Sequence, residues 1–284
     1  MLYAAVLLSA AWLSHFAMLS NDVFPLRWQA NQLSLHHPET FYDGFFPIGY
    51  PLLLRLAGLT GNPVLATMIL QIALAAIYAR LAWGVLRATL SEEAAIIALP
   101  FVLFLPQIAG NILSVTPDFL AALSAIAAFC FLIPTNTRRN IFFAGICLGA
   151  GYLFRTHLIV LVLSLTLALL IFEKKRRFRA ILWLFAGALP FVIAQGMLQV
   201  WSGHGFFENA QAFNMWRMIH GMDWNNPPAL DGVTAFEIMR ANSQIFFTAY
   251  QNALLQEWGY ILPTLVALLF LLKRGRSTSH RALS

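Results

Sequence analysis

Apolar runs long enough to cross a bilayer recur from one end of this chain to the other, separated by charged connections. A hydrocarbon core about 30 Å thick needs roughly 20 apolar residues in a helix. Backbone groups in lipid must be hydrogen-bonded within the segment, so such runs are helices; the alternating pattern of a barrel strand is absent from the sequence. The balance of residue types agrees. Of 284 residues 60% are hydrophobic and 11% charged, with mean hydropathy +0.70, whereas a soluble domain carries about 25% charged residues. The expected fold class is all-α: a polytopic transmembrane helical bundle of about eight spans. They are Met1–Ser20, Pro63–Trp83, Ala94–Val115, Phe119–Ile133, Ile141–Arg155, His157–Phe172, Ala180–Trp201 and Trp258–Leu272.

Charge sorts the connections. One set holds Arg80, Arg87, Arg138, Arg139, the tract Lys174 to Arg179, and Lys273, Arg274, Arg276 and Arg281: thirteen of the eighteen basic residues against three acids. The opposite set holds Arg27, Arg55, Arg155, Arg217 and Arg240 against nine acids. Basic loops stay in the cytoplasm, so both termini are expected there, and the alternation runs through all eight spans without conflict. The net charge of +6 then reads as a topology anchor, with no nucleic-acid partner. Met1–Ser20 lacks a basic leader and an Ala-x-Ala site, and is expected to stay as the first span. Cys130 and Cys147 fall inside apolar runs as small packing residues. Neither has the exposure or charged neighbours of a reactive thiol, which sets a membrane cysteine protease aside.

Two external segments, 21–62 and 202–257, are too long to be simple connections, and loops of that length are usually functional or partly structured. In the first, Gly49–Leu59 has a short apolar helical stretch after a Gly-Tyr-Pro turn, suited to the membrane surface. The second carries Trp216, Trp224 and Trp258 around Asn225-Asn226-Pro227-Pro228, which predicts interfacial helices broken by a turn. The expected organisation is a seven-span module over 1–201 including the external loop 21–62. The second external loop follows at 202–257, then the final span and basic tail at 258–284.

Ionisable groups at span ends mark the place to look for chemistry. Asp22 follows the first span, Asp118 opens the fourth, and Arg155 and His157 sit in the tight turn between the fifth and sixth; all four fall on the external face. A carboxylate beside an Arg and a His at a membrane edge suits a phosphate-bearing lipid and a proton acceptor. Each also has a structural role open to it. Asp118 follows Pro117 and can cap its helix, Arg155 and His157 can satisfy carbonyls at a helix end, and Asp22 can be a loop acid. His15, seven residues before Asp22, falls near the same helical face. His36-His37 are adjacent, which is not metal-ligand spacing.

The run Phe46-Pro47-Ile48-Gly49-Tyr50-Pro51-Leu52-Leu53-Leu54 resembles the signature after the first external loop of bacterial GT-C type membrane glycosyltransferases. These are the glycosyltransferase family 39 relatives of the protein O-mannosyltransferases and of the lipid A aminoarabinose transferase. Thr116-Pro117-Asp118-Phe119-Leu120-Ala121-Ala122-Leu123 looks like that family's second acidic motif. Gly145-Ile146-Cys147-Leu148-Gly149-Ala150-Gly151-Tyr152-Leu153-Phe154-Arg155-Thr156 is similar to its Gly-rich span ending in Leu-x-Arg. The resemblance covers roughly residues 1–201. It implies that Asp22 stands at the catalytic acid's place, although without an adjacent acid, which leaves Asp43 as a competing base.

The implied reaction is an inverting transfer of a sugar from a polyprenyl-phosphate donor to an acceptor hydroxyl on the external face. Asp22 would serve as general base, with Asp118 as support. Arg155, with His157 or Arg217, would hold the developing phosphate charge, and Tyr50 and Trp216 would contact substrate. No metal or other cofactor is called for. The partners are the lipid-linked donor and membrane lipids, with the acceptor open, in what the family implies is a bacterial inner membrane. Two alternatives stand beside it. One is an inactive or minimal paralogue. The other is a non-catalytic lipid-carrier binder or flippase, which needs polar groups lining a mid-membrane path; Gln71, Gln107, Asn111 and Gln195 are the candidates.

Overall fold

A computed structural model describes residues 3, 6–7, 23–34, 36–42, 46–133, 137–172, 177–207 and 235–256. Every regular element among them is helical, apart from an isolated bridge between Ser34 and His37. The chain forms two compact units, Met1–Glu208 and Asn209–Ser284.

The first unit begins with α1 (Val23–Gln32), a 3-10 turn over Pro38–Thr40 and α2 (Gly49–Ala57). The long α3 (Pro63–Thr89) has Asn62 as its cap, the side chain accepting from the Leu65 amide, and a proline at its first position, where the missing N–H costs nothing. Its 27 residues rise about 40 Å, two turns beyond the expected Pro63–Trp83. It is one of two described helices long and apolar enough to cross a membrane; the other is Phe178–Trp201 within α9 (Arg177–Trp201).

The expected span Ala94–Val115 is two helices, α4 (Glu92–Leu103) and α5 (Pro106–Leu113). The break falls at Pro106, where Leu105 takes ψ 127°, the extended geometry favoured before a proline. Ser91 caps α4, with Glu92 and Glu93 in its first turn, where carboxylates favour the positive end of the helix dipole. Next come α6 (Asp118–Leu132), α7 (Arg138–Tyr152) and α8 (Leu158–Phe172), of 15 residues each. Each rises about 22 Å, short of a full hydrocarbon thickness. The expected first and eighth spans lie outside the described residues apart from Tyr3, Val6 and Leu7.

The tightest packing is between α7 and α9. A Cβ on Gly145 would meet the Leu184 carbonyl, one on Gly187 the Phe142 carbonyl, and one on Gly149 the backbone of Ala188. Small residues four apart let helix backbones approach where lipid supplies no hydrophobic drive between helices. The Gly-rich stretch 145–151 is therefore a packing seam that holds α7 in place.

One core gathers Val23, Leu26, Tyr50, Leu54, Met68, Ile72, Ile112 and Phe119, joining α1 and α2 to α3, α5 and α6. Tyr3 joins it, its hydroxyl donating to the Leu103 carbonyl at 2.6 Å. A second gathers Ala128, Ile141, Ala144, Leu148, Val162 and Leu184 from α6 to α9. In the second unit, α10 (Ala235–Ala241) and α11 (Ser243–Gln256) are separated by Asn242, whose amide donates to the Ile238 carbonyl at 3.1 Å.

Candidate functional site

The site is assembled from three sequence stretches that are far apart in the chain. Asp118 opens α6. Its cap position is Pro117, with no side-chain capping bond, and its carboxylate reaches Arg155 instead. Arg155 Nε donates to Asp118 Oδ1 at 2.7 Å and Nη2 to Oδ2 at 2.9 Å. This is a two-pronged guanidinium–carboxylate pair, the strongest and most direction-defining form of ion pair. Its side chains are 22% and 32% exposed for Arg155 and Asp118, so solvent screens it only in part.

The turn that carries Arg155 is fixed from two directions. The amides of Phe154 and Arg155 donate to the Gly151 carbonyl at 2.9 and 3.0 Å, closing the end of α7. The Leu153 carbonyl accepts from the Gly49 amide at 2.8 Å, so the start of α2 sits on the turn. That approach requires glycine. A Cβ at position 49 would lie 2.5 Å from the Leu153 oxygen and 2.8 Å from its carbonyl carbon.

Tyr50 is fully buried, and its hydroxyl donates to Gln71 Oε1 at 2.5 Å. Gln71 Nε2 is shared among the carbonyls of Asn111, Ile112 and Ser114 at 3.0, 3.2 and 2.9 Å. A chain of hydrogen bonds thus runs from α2 through α3 to the end of α5, just ahead of Pro117-Asp118. Burial, then the nearby Asp118 charge, hold the Tyr50 phenol far above its ordinary pKa, so it stays a neutral donor. The Ile48 amide donates to Gln195 Oε1 at 3.1 Å, tying the same segment to α9. The segment before α2 also leans on the end of α9, where Phe41 stacks on Trp201 at 6.0 Å and Tyr42 meets His204 edge-on at 5.1 Å.

His157 sits two residues past Arg155 and is exposed. Partial cover, then the Arg155 charge, hold its imidazole below the ordinary histidine pKa, against an opposing pull from Asp118. It is therefore neutral near pH 7, able to accept a proton or donate a hydrogen bond.

The structure brings Asp118 and Arg155 into contact, and both His157 and Tyr50 lie near enough to feel the Asp118 charge. Asp22, Asp43, His15, Trp216 and Arg217 lie outside the described residues. Among the described residues no three His, Cys, Asp or Glu side chains gather as metal ligands. Sequence reasoning missed the roles of Gln71 and Gln195, weighed there only as polar groups on a transport path. Both are fully buried and make hydrogen bonds that hold the Gly49 segment in place. The available signal was a lone amide in an apolar run, which must find a partner or carry a desolvation cost.

A family model described as dolichyl-phosphate-mannose-protein mannosyltransferase matches residues 46–199. The match opens on the Phe46 signature and contains the other two motif stretches. No curated protein and no solved structure matches the chain.

Proposed function

Because the chain belongs to the dolichyl-phosphate-mannose-protein mannosyltransferase family, we propose that it moves a sugar from a polyprenyl-phosphate carrier to an acceptor hydroxyl on the external face of a membrane. The observation that carries this is the convergence of the three motif stretches. Gly49 bonds to Leu153, Arg155 grips Asp118, and Tyr50 reaches through Gln71 to the residues before Asp118.

The acceptor oxygen attacks the anomeric carbon from the face opposite the phosphate, giving inversion. The bond from that carbon to the phosphate oxygen breaks, and the lipid phosphate leaves as a stable anion, so no general acid is required. A general base takes the acceptor proton. Both oxygens of Asp118 accept from Arg155, which suits Asp118 to positioning and leaves Asp22 as the base, with Asp43 the competitor. Arg155 faces the leaving phosphate, and His157 and Arg217 add donors to the same charge. Trp216 stacks on sugar or prenyl chain. The basic loops are cytoplasmic and the site lies across a bacterial inner membrane from them.

The test is release of polyprenyl phosphate from a polyprenyl-phosphate sugar by the full chain in liposomes. Asp22→Asn should abolish release while donor binding persists. Wild-type release by Asp22→Asn, with loss in Asp43→Asn, would transfer the role of base to Asp43.

A further inference from the structure

On α1 and α2 lies a second charged feature, which neither Asp118 nor Arg155 lines. A cavity of about 360 Å³ is lined by Arg27, Asn31, Leu54, Arg55, Leu59 and Pro63, among others. Arginines from two different helices line one cavity, and no carboxylate stands among the described residues lining it. Neither arginine belongs to an ion pair among the described residues. Two cations lining one cavity with no acid among the described lining residues favour an anionic occupant.

The flanks indicate which kind. Phe24 and Trp28 on α1 are 71% and 59% exposed, and Leu56 and Leu59 at the end of α2 are 57% and 85% exposed. Leu26 on α1 and Tyr50 on α2 turn the other way and are buried in the core. Large apolar side chains beside a cationic cavity fit a molecule with a phosphate head and acyl chains, the pattern of a helix lying in a membrane interface. Arginine in particular matches phosphate oxygens two at a time.

We propose that the Arg27–Arg55 cavity binds the phosphate headgroup of an anionic glycerophospholipid, as a site separate from that of the sugar donor. The lipid seats α1 and α2, and with α2 the Gly49 contact, against the membrane.

The full chain, purified in a neutral detergent, is titrated with phosphatidylglycerol and bound lipid is counted by native mass spectrometry. Phosphatidylcholine, inorganic phosphate and a polyprenyl monophosphate are titrated in parallel. Arg27→Gln/Arg55→Gln should weaken phosphatidylglycerol binding by about tenfold or more, a loss of the size of a charge-assisted contact. Arg138→Gln/Arg139→Gln, which removes the same charge elsewhere, should change it less than about twofold. Both arginines are exposed, and an unchanged unfolding midpoint of the lipid-free variant checks that the fold persists. Equal losses in the two double variants would reduce the effect to net charge and overturn the proposal. Saturation by inorganic phosphate with displacement of the lipid would make it a free-anion site. Binding of the polyprenyl monophosphate alone would make the cavity part of the donor site. Either of these also overturns it.

Discussion

Replacing Gly49 by alanine adds one methyl group at the point where α2 meets the Arg155 turn. The new Cβ would stand 2.5 Å from the Leu153 oxygen and 2.8 Å from its carbon, with Phe154 Cδ1 at 3.1 Å. Relief to ordinary contact, near 3.5 Å for heavy atoms, requires about 1 Å of movement. The obstacle is backbone and cannot swing aside. Overpacking of this kind costs about 1–3 kcal/mol, and the Gly49 amide bond to Leu153, worth about 0.5–1.5 kcal/mol, is weakened with it. Better helix propensity of alanine returns at most about 1 kcal/mol, and less at a first-turn position. The net expectation is a loss of about 1–3 kcal/mol. Gly84→Ala is the matched control: it lies inside α3 with nothing within 4 Å of a new Cβ, so it should stabilise by up to about 1 kcal/mol. Denaturant unfolding in detergent micelles, followed by tryptophan fluorescence, gives both values. Transfer should also fall in Gly49→Ala, since moving Leu153 moves Arg155, and about 1 Å of misplacement can cost about a hundredfold in rate. Equal stability and equal activity of the two variants would refute the idea that Gly49 sets the approach of the motifs.

Asp118→Asn and Arg155→Gln should each destabilise by about 1–3 kcal/mol, and the double variant by clearly less than their sum; an additive double-mutant cycle would show that the pair contributes nothing. His157 is held below its ordinary pKa of 6.5, so as pH falls the unfolded chain takes up the proton first. Its contribution to stability is complete above about pH 6.5 and declines below it, and His157→Asn should flatten that decline in unfolding curves measured from about pH 7.5 down to about pH 5. Leucine at Gly145 or Gly187 should separate α7 from α9 and lower stability by about 3 kcal/mol or more, the upper end for overpacking, whereas leucine at Gly84 should be tolerated; unfolding midpoints distinguish them.

What could be read from the residues divides along physical lines. Apolar runs announced α6, α7, α8 and α9 to within three residues, and α3 except for its last six, because apolar content is a property of one segment. The prolines were harder. Pro106 ends one helix and starts another, whereas Pro190 lies inside an unbroken α9. Pro100 likewise lies inside an unbroken α4. At Pro190 the neighbour helps: α9 is braced through Gly145, Gly149 and Gly187 against α7, and neighbouring helices can hold a helix together at a proline. Charge sorting placed Asp118 and Arg155 on one face, but not in contact, since a pair 37 residues apart depends on how two helix ends meet. Tyr50 and Gln71 show the same limit. Nothing local to either residue reveals that they bond to each other and so turn two polar groups into part of the scaffold. The motif resemblance located the family that residues 46–199 match; it did not show that the Gly-rich stretch is a packing seam.

If the Arg155–Asp118 pair handles the phosphate of a lipid-linked sugar, loss of the guanidinium slows phosphate release. The most direct measurement is single-turnover release of polyprenyl phosphate by the wild-type chain, Arg155→Lys and Arg155→Gln in liposomes. Arg155→Lys keeps a charge without the fork and should retain partial activity, while Arg155→Gln should lose about a hundredfold or more, the scale of one removed oxyanion donor. Wild-type release by Arg155→Gln would contradict the account.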